Sequence, residues 1–291
     1  MGEKNKIKFT KMHGNGNDFV LFDEFKGELI EESLKPNLVQ AVCHRRFGIG
    51  ADGVLFVQRS DNADAKFRYF NSDGSEADMC GNGIRCFSRY IVEEGYAESG
   101  KILVETRVGI LELNVSKKDG YWVRVNMGQA KTRAENIPVK TENNRFWGEK
   151  LVANYREFEV YAVNTGVPHA VIFMPLEELR NFDLIPYARE IRYNIIFPEG
   201  TNVNFVSIVS ENRIEIRTYE RGVEDETLSC GTGSVASAFI ARELELVKEP
   251  VEVITKGGVL IIEFQGDNIY MTGTANRVFD GELNLKELRR V

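Results

Sequence analysis

Two cysteines occupy the same local phrase, one in each half of a 291-residue chain. SEADMCGNGIRCF places Cys80 ahead of Gly81, Asn82 and Gly83, and EDETLSCGTGSVASAF places Cys230 ahead of Gly231, Thr232 and Gly233. Apolar residues at 3–4 spacing follow each phrase, so each cysteine is expected at the start of a helix. A helix start carries unpaired N–H groups and a partial positive charge, which favours a thiolate. The adjoining glycines let the backbone approach a ligand, and their N–H groups can face an anion. If two such helix ends converge on one small acid, a sulfur stands on each side of the carbon next to its carboxylate. One thiolate then removes the proton from one face, and the other thiol returns a proton to the opposite face. The configuration inverts, and the helix ends stabilise the negative charge that develops.

A single Cys-Gly-x-Gly turn is weak, because a buried cysteine is usually a small hydrophobe. Its recurrence in both halves carries the inference. A Walker-type phosphate cradle would need a G-x-x-x-x-G-K-[ST] motif, and none is present. Cys86 reads as a packing residue and Cys43 as part of a helix core. His44, beside Arg45 and Arg46, reads as a solvated face. His13 reads as a loop hydrogen-bonder, and Asn17 in its Gly-rich setting as a turn residue. The four cysteines include no C-x-x-C pair and the chain has three histidines, so no structural metal site is expected.

The elements that position these groups also come in two copies. Besides the cysteine phrases, an offset of 150 pairs Tyr69 with Tyr219 and Gly50 with Gly200. NDFVLF (17–22) resembles VPHAVIF (167–173), and ILVETRVGILEL (102–113) resembles VEVITKGGVLIIEF (251–264). Each half reads strand, helix, strand, cysteine loop, helix, strand pair. The reading is α/β of the α+β type, in two pseudosymmetric domains. The expected boundaries are 1–127 and 128–274, with a tail, 275–291, returning to the first domain. KFRYF, GYWVRVN, FEVYAV, RIEIRTY and NIYMTG alternate as strands. Helices are expected at 34–46, 82–95, 183–192 and 232–247.

A net charge of −7 argues against a nucleic-acid surface. No run of 18 apolar residues suggests a membrane span. The N-terminal stretch has no apolar core of a secretory signal, and Lys6 breaks the myristoylation pattern after Gly2. Reduced thiols suit a cytoplasmic setting. Charged residues at 28% and only four glutamines (Gln40, Gln58, Gln129, Gln265) lean toward a heat-adapted source.

KMHGNGNDFV (11–20), GIGADG (48–53), FNSDGSEADMCGNGIRC (70–86), NTGVPHAV (164–171), TNVNF (201–205) and YERGVEDETLSCGTG (219–233) together resemble the diaminopimelate epimerase family. The resemblance spans nearly the whole chain in order. It implies a curved, mostly antiparallel β-structure around a central helix in each domain. It also implies interconversion of LL- and meso-diaminopimelate without pyridoxal phosphate or metal, in lysine and cell-wall precursor synthesis. The protein would be a cytoplasmic homodimer that binds this small molecule and neither nucleic acid nor membrane. By the resemblance, Cys80 is the thiolate toward the LL isomer and Cys230 toward the meso isomer. Gly81, Asn82, Gly231 and Thr232 would bind the reacting carboxylate through N–H groups. Asn71, Glu220 and the Arg221 carbonyl would hold the α-amino group. The Arg221 guanidinium, with Asn17 and Asn202, would read the distal carboxylate. His169 would assist Cys80, and Glu220 would assist Cys230, as proton partners. The chain departs from the family pattern at Val167, at Gly53 and in the longer GVEDET segment, which bears on distal-end selectivity. Two alternatives share the fold: a proline-racemase-like enzyme and a phenazine-pathway-like isomerase. A third is a thiol redox protein with a regulated Cys80–Cys230 disulfide.

Overall fold

A computed structural model of the chain describes residues 6–288. The first five residues, which bear on the signal and myristoylation readings, and the last three of the expected tail lie outside the described residues. The chain divides into two compact units, Met1–Val125 with Gly273–Val291, and Asn126–Thr272.

In the first unit, β1 (Lys6–Gly14) pairs antiparallel with β2 (Asn17–Glu24), and β2 runs parallel to β3 (Gly53–Gln58). Helix α1 (Lys35–Cys43) fills that crossover. β3 turns back antiparallel into β4 (Ala65–Asn71), which holds the short β5 (Glu76–Ala77) and lies parallel to β6 (Gly100–Thr106). Helix α2 (Gly81–Glu93) makes that second crossover. β7 (Gly109–Ser116) and β8 (Trp122–Asn126) follow antiparallel. The strand Asn276–Asn284 adds antiparallel to β1.

The second unit repeats the pattern. β9 (Trp147–Ala153) and β10 (Arg156–Asn164) pair antiparallel, as do β10 and β11 (Pro168–Phe173). After the short helices α3 (Leu176–Asn181) and α4 (Ile185–Arg192), β11 runs parallel to β12 (Asn202–Ser210). β12 pairs antiparallel with β13 (Arg213–Glu220), which holds β14 (Asp225–Thr227). Helix α5 (Gly231–Glu243) then leads to β15 (Val251–Thr255), parallel to β13. β16 (Gly258–Gln265) pairs with β15, and the unit ends within β17 (Asn268–Thr274).

Strand alternation puts apolar residues on both sheet faces. In β12, Val203 and Phe205 join the cluster under α3 and α4, while Val206 faces the α5 cluster with Val171, Ile214 and Ile216. Each such buried side chain contributes roughly 1.5–3 kcal/mol. In the first unit, Phe22, Phe56 and Phe70 pack with Leu38, Val39 and Val42 of α1. Helix α2 is buried almost all round, from Asn82 to Ser88 and from Tyr90 to Val92. A helix buried on all sides belongs to a unit's core. In α5 the small residues Ser234, Ala236, Ser237 and Ala238 allow the same close approach.

Both long helices end alike. The Tyr96 N–H returns to the Ile91 carbonyl and the Leu246 N–H to Ala241, across a residue at positive φ. That residue is Gly95 (φ 75°) in one unit and Glu245 (φ 57°) in the other, so α2 and α5 stop short of 95 and 247. The expected helix at 34–46 ends at Cys43, where His44 is extended and the Ile49 and Gly50 N–H groups return to the Val42 carbonyl. Helix α3 was not expected from the sequence; its six residues are too few to display a period.

Candidate active site

Each cysteine is the N-cap of its helix. Cys80 is extended (φ −146°, ψ 117°), and its Sγ accepts from the Gly83 N–H at 3.4 Å. Cys230 is extended (φ −115°, ψ 114°), and its Sγ accepts from the Gly233 N–H, also at 3.4 Å. The cap carbonyls accept from Ile84 and Ser234 at 2.8 and 2.9 Å. A sulfur here does what a serine or aspartate oxygen does at an ordinary cap, and it gains stability as a thiolate. Glycine at the third helical position follows from packing. A Cβ on Gly83 would stand 3.3 Å from Leu55, and one on Gly233 would overlap Asn204 Oδ1.

Around Cys80, the thiol donates to Asn17 Oδ1 at 3.9 Å, and Asn82 Nδ2 donates to the same oxygen at 3.1 Å. Asn17 Nδ2 is fixed by Asp52 at 2.7 Å, so the amide oxygen must face the cysteine loop. Asp52 also accepts from Arg45 at 2.6 Å, and Arg45 reaches Asp18 at 2.8 Å. Burial alone would raise the Asp18 carboxyl, but hydrogen bonds from Arg45 and Lys11 outweigh it and hold it down at about 2. Arg85, one turn into α2, is completely buried. It donates to Asn15 Oδ1 at 2.8 Å and to the Thr274 and Gly81 carbonyls at 3.2 and 3.5 Å. Burial pulls this guanidinium down to about 10, and charge interaction with the Cys86 and Cys80 side chains partly offsets it. Asn71 ends β4, where its Nδ2 donates to Ser75 Oγ at 3.1 Å.

Around Cys230, the sulfur lies 3.4 Å from Thr232 Oγ1 and is hydrogen-bonded to the Glu220 carboxylate. Burial, and after it the Glu220 charge, pushes this thiol up. Thr165 Oγ1 donates to the Thr232 carbonyl at 2.9 Å and ties the loop to the end of β10. Asn202 Oδ1 accepts from the Arg221 N–H at 2.7 Å, and its Nδ2 donates to the Pro168 carbonyl at 3.3 Å. The Arg221 guanidinium donates to the Glu199 carbonyl at 2.9 Å. His169, on β11, is completely buried. Burial, and after it the Arg221 charge, drives its ring down to about 3.

The structure thus collects Asn17, Asn71, Cys80, Gly81 and Asn82 in the first unit, and His169, Asn202, Glu220, Arg221, Cys230, Gly231 and Thr232 in the second. All four cysteines are thiols, and burial pushes Cys43 and Cys86 up to about 12, as befits packing residues.

A family model described as diaminopimelate epimerase matches residues 9–133 and 161–278. The chain belongs to the diaminopimelate epimerase family. A diaminopimelate epimerase of Archaeoglobus fulgidus is 60% identical over 98% of this chain and 99% of its own. One of Methanocella arvoryzae is 51% identical over 96% and 98%. Among solved structures, a Bacillus anthracis phenazine biosynthesis protein of the PhzF family superposes with TM-score 0.70 at 16% identity, covering 96% of this chain and 99% of that one. A hydroxyproline epimerase from Agrobacterium vitis gives 0.68 at 15%, covering 96% and 91%. These likenesses show the fold. Within the diaminopimelate epimerase family pattern, Gly53 has a packing reason. A Cβ there would press on the Tyr69 ring and the Phe70 carbonyl at 2.5 and 2.6 Å. No described helix is long and apolar enough to cross a membrane.

Sequence reasoning missed Asp52, Arg85 and Asn204. All three lay inside quoted motifs. Their signal was a charged or amide residue set between small or apolar neighbours.

Proposed function

We propose that this chain interconverts LL- and meso-diaminopimelate by moving the α-proton between Cys80 and Cys230, with no cofactor, in lysine and cell-wall precursor synthesis. The observation that carries the reading is the repeated cap. In each unit a cysteine sulfur sits at the positive end of a buried helix and bonds the N–H of the third residue.

Toward the LL isomer, the Cys80 thiolate takes the α-proton and the Cys230 thiol supplies one to the other face; the meso isomer runs the reverse. The α-carbon is a weak acid, so charge must be absorbed as the C–H bond breaks. The starts of α2 and α5, through Gly81, Asn82, Gly231 and Thr232, supply dipoles for the carboxylate. Asn71 and Glu220 take the α-amino group, and Arg221, with Asn17 and Asn202, takes the distal carboxylate. Glu220 is also the proton partner of Cys230, which its hydrogen bond to that sulfur supports. The working form is a cytoplasmic homodimer, and sedimentation in solution tests that state.

The test is exchange of the α-hydrogen in deuterated water. Wild type should label both isomers of diaminopimelate and leave proline unlabelled. Cys80→Ala and Cys230→Ala should each lower epimerisation by at least about a thousandfold. Wild-type turnover by either variant would end the two-thiol mechanism.

A further inference from the structure

Behind the Cys230 helix lies a polar trio that the fold does not need. His169 faces Asn202 in the parallel β11–β12 register, Asn204 lies two residues further along, and Asn204 faces Thr218 across β12–β13. The three side chains therefore share the sheet face toward α5. The first unit has the same register, with Phe19 facing Gly53, Leu55 two residues on, and Leu55 facing Tyr69. Leu55 stands beside Gly83 as Asn204 stands beside Gly233. There the trio is two aromatic rings and a leucine, and Phe19 meets Tyr69 edge to face at 5.9 Å. One copy of the fold is filled with two aromatic rings and a leucine at the place where the other buries an imidazole, an amide and an aliphatic hydroxyl.

The hydrogen bonds of the polar trio assign its protons. Asn204 Oδ1 accepts from Thr218 Oγ1 at 3.0 Å, while Asn204 Nδ2 donates to the Ala170 carbonyl at 3.1 Å. Turning the amide over would set two oxygens against each other, so Nδ2 also donates to His169 Nδ1, 3.1 Å away. That nitrogen therefore carries the lone pair, and the neutral ring holds its proton on Nε2. Nε2 is buried and has no partner among the described residues. An unmet buried donor is destabilising, and the Phe19, Leu55 and Tyr69 trio of the first unit buries no such imidazole.

We propose that Asn204 is a positioning residue that fixes His169 in the Nε2–H tautomer, so the ring offers a hydrogen bond to an anion and not a base. The anion is either a substrate carboxylate or a thiolate. The proposal rests on the epimerase reading only for the identity of that anion. It replaces the proton-partner role that the family resemblance implies for His169, because a ring whose lone pair is held by Asn204 has no basic nitrogen to offer.

The test is nitrogen NMR of the full-length protein labelled at its histidine rings. The chain has three histidines, and His169→Gln assigns the signal. The free protein should show His169 neutral with its proton on Nε2, unchanged from pH 5 to 9. Asn204→Asp, which turns the partner into an acceptor for Nδ1–H, should move the proton or charge the ring. A shift of Nε2 on adding diaminopimelate identifies the carboxylate. A shift that follows thiol ionisation without substrate, and is lost in Cys80→Ala or Cys230→Ala, identifies the thiolate. In the exchange assay, His169→Gln, which keeps a donor and cannot act as a base, should stay within about tenfold of wild type, while His169→Ala falls about a hundredfold. A proton on Nδ1, a ring that titrates in that range, or folded Gln and Ala variants that are equally impaired would overturn the proposal. The NMR result stands or falls without turnover. The expected tautomer in a protein that never labels diaminopimelate would sink the epimerase reading and leave the tautomer assignment intact.

Discussion

The two cysteine caps share a backbone and differ in charge. Cys80 stands on a helix that carries the buried Arg85 guanidinium, and an amide oxygen accepts its hydrogen bond. Counted from the cysteine, the counterpart of Arg85 in the second unit is Val235, which is buried in the apolar cluster around α5. Cys230 instead meets the Glu220 carboxylate. A cation near one sulfur and an anion near the other make the two thiols unequal: the Arg85 charge favours a thiolate at Cys80, and the Glu220 charge opposes one at Cys230. The lesson is that the repeat conserves what geometry requires, the cap and its glycine, and leaves the electrostatics of each copy free to diverge.

The largest expected effect separates the units by acid. His169 has a folded pKa near 3 against the usual 6.5. A base held neutral by the fold contributes stability that is complete above pH 6.5 and is lost as pH falls toward 3, because the unfolded chain binds the proton first. That is worth up to about 4 kcal/mol by pH 3. In the first unit Asp18, held at about 2, begins to lose its contribution only below its ordinary value of 3.8. His13 has the sign of His169, with partial burial as the main cause, but it is only partly buried. Hydrogen exchange from pH 7 to 5 should therefore loosen α5 before α2; simultaneous loosening would break the comparison.

A smaller effect concerns the thiols. Cys80 should alkylate at lower pH and about a hundredfold faster than Cys230 near neutrality, read by mass spectrometry of the two peptides. Arg85→Met should narrow that gap by moving the Cys80 profile to higher pH. An unmoved profile in a folded variant would remove Arg85 from the account.

The smallest effect compares the glycines. Gly83→Ala meets only Leu55 and Cys80 at 3.3 Å and gains helix propensity, so stability should change by less than about 1 kcal/mol. Gly233→Ala drives a methyl group into Asn204 Oδ1 and should cost about 2–3 kcal/mol. Denaturant midpoints of the two variants decide this, and equal costs would mean that Asn204 can move aside.

Much of the architecture was legible in the sequence. Alternation in KFRYF, FEVYAV and RIEIRTY marked β4, β10 and β13, and the recurring Cys-Gly-x-Gly marked both helix starts. The finer alignment was not. The shared offset of 150 matched Tyr69 to Tyr219, but register matches Tyr69 to Thr218, since Leu55 faces Tyr69 and Asn204 faces Thr218. A slip of one residue exchanges sheet faces. Two tyrosines of the same type therefore face opposite ways, and the polar trio stayed hidden behind a plausible match. Asn204 had a readable signal, an amide two residues after Asn202 in an otherwise buried strand. Arg85 had one too, as the only charged residue among the buried positions of α2. Neither signal named a partner, because partners come from other strands.

The most direct measurement of the central claim is a structure with a non-reacting diaminopimelate analogue bound, read for the distance from each sulfur to the α-carbon. The account predicts Cys80 and Cys230 on opposite faces of that carbon, each at about 3.5 Å. One sulfur near the carbon and the other beyond the reach of any single proton transfer would contradict it.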